Sequence, residues 1–374
     1  MFEKIILHEK GLDVKLTDHV NDDIIDILEH AVQGAEGGLR FSQTNIRSRI
    51  EEYGDRVRFM SLYKKNRIAG TAGAYYHITG QGALEYPSTY IKYLAFLSVY
   101  QTNINKKRKK VVIRRDDNLS FKKKTIELFG TPHVMDLPGV KEGDKHVLYA
   151  FIENMNERSK NIVSQVGFEY IRSFLTVAFS RFTPKKDNRV SKLQTDEKDK
   201  MNSLVKDFYK NYSFFNEDHL FKDDKYYVLK EDGEIVAGVW ASPTVYKVYN
   251  IPGVWGWILR NILPIIPLFR RILPVDQLKC LLFDGLWFKK GHESKIETLM
   301  ESVLATEGYY TGLIWADDHG ELYDVLRTKN SMGALNRMLN AKPGLVYAKF
   351  VSFDNKEKER FYDVPAFISS FVFS

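Results

Sequence analysis

Residues 156–168 read Asn-Glu-Arg-Ser-Lys-Asn-Ile-Val-Ser-Gln-Val-Gly-Phe. The pattern predicts a helix from Asn154 to Val166. Gly167 follows as the left-handed residue that closes a helix. Phe168 then starts a strand and points inward. Outward from this unit, His146–Ile152 and Phe174–Phe182 are apolar enough to be strands, and Tyr90–Tyr100 is an aromatic-rich strand before them. The region is strand, helix, strand, which is an α/β arrangement.

The same logic repeats along the chain. Residues 59–70 read FMSLYKKNRIAG and residues 227–238 read YVLKEDGEIVAG, starting 168 residues apart at 59 and 227. Each is an apolar strand, a polar turn (Lys65-Asn66, Asp232-Gly233) and a second strand, the pattern of a β-hairpin. Helical patterns precede both hairpins: Asn21–Ala31 and Ser42–Glu52 before the first, and a Met201, Leu204, Val205, Phe208 stripe with Thr195 as N-cap before the second. The second half continues with strands at Leu278–Phe288 and Thr311–Ala316 around a helix at Lys295–Thr306, whose Ser294 and Glu297 have the spacing of a capping box. Beyond them Glu321–Leu339 reads as helix, and Leu345–Phe353 and Phe361–Phe373 as strands. The expectation is two tandem units: residues 1–184, a stretch over 185–197 that is linker and start of the second unit and follows the proline at Pro184, and residues 198–374.

Composition narrows the class. Hydrophobic residues make up 44% and charged residues 28%, the balance of a folded globular protein. Cys280 is the sole cysteine of the 374 residues, so no internal disulfide exists and a reducing, cytoplasmic setting is expected. Met1-Phe2-Glu3-Lys4 is not the start of a secretory signal. The net charge of +7 is partly local: Lys106, Lys107, Arg108, Lys109, Lys110, Arg114 and Arg115 form one run. Such a run is a solvated loop or an attractor of phosphate, membrane or nucleic acid. Nucleic acid ranks last, because no zinc-finger spacing or RNP-like aromatic motif accompanies it. The nine histidines show no metal-ligand spacing.

The order of elements, with Asn156, Ser159, Gly167 and Phe168 at their spacings, resembles the GNAT family (GCN5-related N-acetyltransferases) over roughly residues 10–182. The second half resembles the same fold in its order of elements. The resemblance implies two mixed central sheets flanked by helices, with acetyl-CoA or another acyl-CoA in a V-shaped opening between two splayed parallel strands. It also implies a pyrophosphate on backbone amides at the start of the following helix. Both halves depart from the family's glycine-rich loop. The first half has Asn105–Asp117, with no glycine; the second has Lys289-Lys290-Gly291-His292-Glu293-Ser294. With one glycine in place, the second is the better candidate, and Lys290, Gly291, His292 and Ser294 are the expected phosphate-binding residues, although Glu293 repels phosphate.

Aminolysis of a thioester needs a base for the amine and an acid for the thiolate. The resemblance places an acidic tyrosine seven residues after Asn156, where this chain has Val163. In the second half Asp284 lies inside Leu281-Leu282-Phe283-Asp284-Gly285-Leu286-Trp287-Phe288, an apolar setting that suits a base, and Tyr323 stands near the family's tyrosine. Asp284 also reads as a solvent-facing or capping residue, Tyr323 as packing, and Asp317-Asp318-His319 as either a cleft edge or a helix-capping turn. His77, a lone histidine after the first aromatic strand, reads as structural.

Residues 251–275 read IPGVWGWILRNILPIIPLFRRILPV. Its four prolines and three arginines interrupt it too often for a bilayer span. It reads as a wall around a hydrophobic substrate, a buried interface (interdomain or homodimeric), or a membrane-surface segment. The expected function is acyl-CoA-dependent N-acyl transfer to a small-molecule or peptide amine. The rivals are a non-catalytic binding or assembly protein, and an aminoacyl or long-chain acyl transferase.

Overall fold

The helix read first in the sequence forms over Glu157–Gln165 and is capped as expected: Asn156 Oδ1 accepts the Ser159 amide at 3.0 Å. Gly167 takes φ +86° and Phe168 is buried. The protein is described by a computed structural model covering residues 2–9, 11–34, 40–81, 84–96, 124, 127–128, 130–251, 256–258, 271–272, 277–328, 332–333, 335–336 and 342–373. The basic run from Lys106 to Arg115 lies outside these residues, as does most of 251–275.

In chain order the first half holds β1 (Glu3–Glu9), β2 (Leu12–Thr17), α1 (Asp22–His30), β3 (Arg40–Gln43), α2 (Ile46–Glu51), β4 (Val57–Lys64), β5 (Arg67–Gln81), β6 (Leu84–Phe96), β7 (His146–Glu153), α3 (Glu157–Gln165) and β8 (Glu169–Ser180). The second holds β9 (Val190–Lys192), α4 (Lys198–Tyr209), β10 (Tyr226–Glu231), β11 (Glu234–Asn250), β12 (Leu278–Phe288), α5 (Lys295–Glu307), β13 (Thr311–Asp317), α6 (Glu321–Thr328), β14 (Gly344–Val351), α7 (Asn355–Asp363) and α8 (Ser370–Phe373).

Among the described residues, fourteen strands join one sheet in the order β1-β2-β4-β5-β6-β7-β14-β8-β13-β12-β11-β10-β9, with β3 on β11. The two halves exchange their last strands. β14 lies between β7 and β8, and β8 lies between β14 and β13. The parallel pairs are β6 with β7 and β12 with β13. One hydrophobic cluster lines a shared face and includes residues of both halves, Tyr53, Tyr90, Tyr149, Trp240, Trp315 and Phe371 among them. The opposite face carries separate clusters under α3 and under α5. In α5, Ile296, Leu299, Met300, Val303 and Leu304 are each at most 1% exposed, and such burial contributes roughly 1.5–3 kcal/mol per large side chain.

The two hairpins are equivalent in geometry. Lys65-Asn66 (φ +49°, +60°) and Asp232-Gly233 (φ +49°, +82°) both turn through the left-handed region, as a two-residue hairpin with the right twist requires. Each hairpin shifts register at the same place, before Leu62↔Gly70 and Leu229↔Ala237. The turns therefore superpose at 167 residues (65 on 232), one fewer than the offset of the matching Ala-Gly letters.

Local chemistry changes three expectations. Phe361–Phe373 is not a strand. Asp354 caps α7 in a full capping box with Glu357, which makes Phe361 and Tyr362 helical, and beyond it residues 365–367 bond to Ser213 and Asp317 and not along a sheet strand. Ser294 makes no side-chain cap, because its own backbone is already helical (φ −66°, ψ −18°), and the Glu297 carboxylate turns to Arg181 at 2.6 Å instead of closing a capping box. Thr195 starts a short 3-10 turn (Thr195–Glu197) capped by Gln194, and α4 begins after it.

Candidate active site at two bulged strand pairs

Each half contains a parallel strand pair that separates after a few residues. β6 and β7 pair from Ser88↔Val147 to Tyr90↔Tyr149, and β12 and β13 pair only at Leu281↔Gly312 and Leu282↔Leu313. Just past the last pair, both β6 and β12 bulge. The register moves from Gly73↔Lys92 to Thr71↔Ala95 in one, and from Trp240↔Asp284 to Gly238↔Trp287 in the other. Tyr93 (φ +56°) and Gly285 (φ +53°) occupy matching positions inside the two bulges. Lys92 and Asp284 are thus equivalent residues, and both are buried.

Asp284 makes four contacts. Its Oδ2 accepts from Ser369 Oγ at 2.8 Å and from the Phe371 amide at 3.1 Å, and His219 Nε2 lies 3.0 Å away; its Oδ1 accepts from the Gly285 amide at 2.9 Å. Lys92 Nζ donates to Tyr53 Oη at 2.7 Å and to the Val372 carbonyl at 2.8 Å. Burial holds the Lys92 ammonium well below its ordinary range, and the neighbouring Arg49 charge acts the same way. The two bulges therefore grip the same terminal segment from opposite sides.

That segment fills the C-terminal wedge. The Phe367 amide donates to the Ser213 carbonyl at 2.8 Å, the Ser213 amide to the Pro365 carbonyl at 2.9 Å, and the Ala366 amide to Asp317 Oδ2 at 2.8 Å. The space remaining among Tyr209, Asp284, Gly285, Trp315, Asp317 and Phe367 is about 10 Å³, room for roughly one water. Every residue of β13 and all but Lys279 of β12 is buried. In the N-terminal pair the strand edge reaches the surface, with Leu94 39% exposed and Phe96 and Phe151 half-buried.

Asp317 anchors the segment further. Arg172 meets it with two nitrogens, at 2.9 and 3.1 Å, and donates a third hydrogen bond to the Tyr362 carbonyl. The Asp317-Asp318-His319 stretch is a turn, with the His319 amide on Asp317 Oδ1. Its ligand-type atoms gather within 4.8 Å, where Arg172 already pairs with Asp317.

The other residues singled out in the sequence sit elsewhere. Tyr323 packs beside the cluster under α5, whereas Asp284 faces the shared cluster with Trp240 and Phe371; the sheet separates them. In the loop after β12 the Gly291 amide donates to Glu293 Oε1 at 2.8 Å, so the loop's own carboxylate sits where a phosphate oxygen would. Lys295 and His292 both face Glu231, at 2.5 and 3.9 Å. Ser294 offers no cap and Lys290 is exposed. His77 is buried with Nε2 2.7 Å from Tyr149 Oη, and burial pushes its imidazole down to about 3.

Sequence reasoning missed Lys92 and His219. Lys92 was detectable: it interrupts Tyr90-Ile91-Lys92-Tyr93-Leu94 as Asp284 interrupts its own strand. His219 lies in a loop and carries no periodic signal.

No protein-family model and no curated protein matches this chain. Among solved structures it is similar to Saccharomyces cerevisiae N-myristoyltransferase with bound myristoyl-CoA, with TM-score 0.51 and 12% identity over 94% of this chain and 85% of that one. A second myristoyl-CoA complex of the same yeast enzyme gives TM-score 0.50 and 11% identity over 94% and 81%. A GCN5-related N-acetyltransferase from Anabaena variabilis gives 0.44 and 10% over 90% and 73%. The fold is the mixed α/β acyltransferase fold expected from Asn156–Phe168.

Proposed function

We propose that this chain is an acyl-CoA-dependent N-acyltransferase that passes an acyl group to an amine by direct attack on the thioester. We place the acyl donor in the N-terminal wedge, between β6 and β7. The observation that supports this placement is the contrast between the two equivalent wedges. Residues 365–368 fill the C-terminal one, while Leu94 and Phe96 bring the N-terminal edge to the surface.

On this reading Lys290, Gly291, His292 and Ser294 form a solvated turn, because a phosphate there would meet the Glu293 carboxylate already seated on the Gly291 amide. Tyr323 is a packing residue. Asp284 belongs to the site through the segment it holds, and not as a free base. The yeast enzyme of similar fold holds myristoyl-CoA, so a long-chain donor is tested beside acetyl-CoA.

Calorimetric titration with acetyl-CoA and with myristoyl-CoA tests the reading. It expects saturable binding of at least one donor, unchanged in Lys290→Ala. Heat from neither donor favours a binding or assembly protein that keeps the fold without its chemistry.

A further inference from the structure

We infer that His219 is the proton acceptor of the transfer, acting through Nδ1, and that Asp284 is the positioning residue that fixes its tautomer. The inference rests on the acyltransfer reading and names the base for it.

The carboxylate of Asp284 is an acceptor, so the nitrogen 3.0 Å from it, His219 Nε2, carries the proton. The lone pair of the neutral ring then lies on Nδ1. That atom is buried and has no hydrogen-bond partner. Buried polar atoms are nearly always paired, and an unpaired one is costly. Two more such atoms belong to neighbouring side chains: His77 Nδ1 and Tyr75 Oη.

Ring contacts link these side chains in a row. His219 stacks on Phe371 at 4.6 Å and 9°, Tyr75 meets Phe371 at 6.4 Å, and Tyr75 meets His77 at 4.9 Å edge-on. Trp240 meets His219 edge-on at 4.9 Å and lies 5.9 Å from Phe371. Three unpartnered polar atoms thus lie on side chains joined by ring contacts, and on this reading they serve one small polar group, an amine or the water that relays its proton. The charged neighbours are these: Asp284 on β12 bonds His219, Asp218 from the same loop pairs with Arg56, which lies over Tyr75, Arg49 lies over Phe371 and pairs with Glu52, and His77 on β5 bonds Tyr149.

The step balances. The amine nitrogen attacks the thioester carbonyl, its proton passes to Nδ1, the C–N bond forms and the C–S bond breaks. The imidazolium, facing the Asp284 charge, returns the proton to the departing thiolate. The products are amide and free thiol.

The test uses the full chain, acetyl-CoA and myristoyl-CoA as donors, glycinamide as acceptor, and thiol release as the readout. His219→Gln keeps a donor toward Asp284 and removes the base. Turnover is expected to fall about 10²–10⁴-fold, with donor affinity and Tm unchanged. Asp284→Asn is expected to move the ring proton to Nδ1 in histidine 15N spectra and to lose a similar factor, and the double variant to be no worse than either. Turnover in His219→Gln within threefold of the parent overturns the base assignment alone, and so does a parent spectrum with the proton on Nδ1. That spectrum decides even if the variants do not fold. A parent that releases no thiol with either donor overturns the acyltransfer reading itself, and the base with it.

Discussion

Lys92 and Asp284 stand at the same position of two equivalent bulges, one opposite Gly73 and the other opposite Trp240, and both hold the segment Ser369–Val372. A buried amine in one half and a carboxylate in the other thus locate a single terminal segment against the sheet. The two bulges share a backbone geometry and differ in the chemistry they carry. One wedge is a socket for the chain itself, and the other has an edge at the surface.

The plug should be costly to trim. Phe367 is 5% exposed and packs on Tyr209 at 4.9 Å and Phe215 at 5.1 Å. Phe367→Ala is expected to destabilise the protein by about 3–5 kcal/mol. Urea denaturation checks this as a lower midpoint at unchanged slope. A loss under ~1 kcal/mol would mean that the wedge closes without the ring.

Arg172 and Asp317 form a buried pair, with the Asp317 side chain 0% exposed. Arg172→Ala leaves that carboxylate inside the fold with only amide partners. The expected cost is about 3–5 kcal/mol. Replacing both residues with apolar ones of similar size should recover much of it, and a double-mutant cycle in urea measures the recovery.

Acid should weaken the fold over a defined window. His77 is held at about 3 and His146 at about 4, both by burial, against an ordinary value of 6.5. Between those values the unfolded chain binds a proton at each site that the folded chain does not. Stability therefore rises with pH across the window and is lost as pH falls from 6.5 toward 4 and 3. Replacing His77 with Asn should flatten the slope of unfolding free energy against pH between those limits. An unchanged slope would show that His77 stays solvated.

Glu293 occupies the amide that a phosphate would need. Glu293→Gln and Lys290→Ala are each expected to leave acyl-CoA affinity within about twofold, less than 0.5 kcal/mol. A gain of tenfold or more on removing the Glu293 charge would place the phosphate in this loop after all.

Much of the fold was readable from local signals. Asn156, Gly167 and Phe168 specify a capped helix and the strand beyond it, and each takes the expected role. The hairpin turns were readable because left-handed pairs need residues such as Asn-Gly or Asp-Gly. The strand exchange of β8 and β14 was not readable, since periodicity within a strand is silent on its neighbour. The terminal aromatic run was misread for a related reason. Its β-preference was real, but Asp354 and Glu357 started a helix before it. At the site, Asp284 stood out because a carboxylate in so apolar a strand suits a base. The partner, His219, comes from a loop 65 residues away, a contact that tertiary structure alone creates.

Hydrogen exchange with acetyl-CoA and myristoyl-CoA tests the central claim, that the donor lies between β6 and β7, most directly. The account predicts that binding slows exchange in residues 84–96 and 146–153 and leaves the loop at 289–294 unchanged. Protection concentrated at 289–294, with β6 and β7 unaffected, would contradict it.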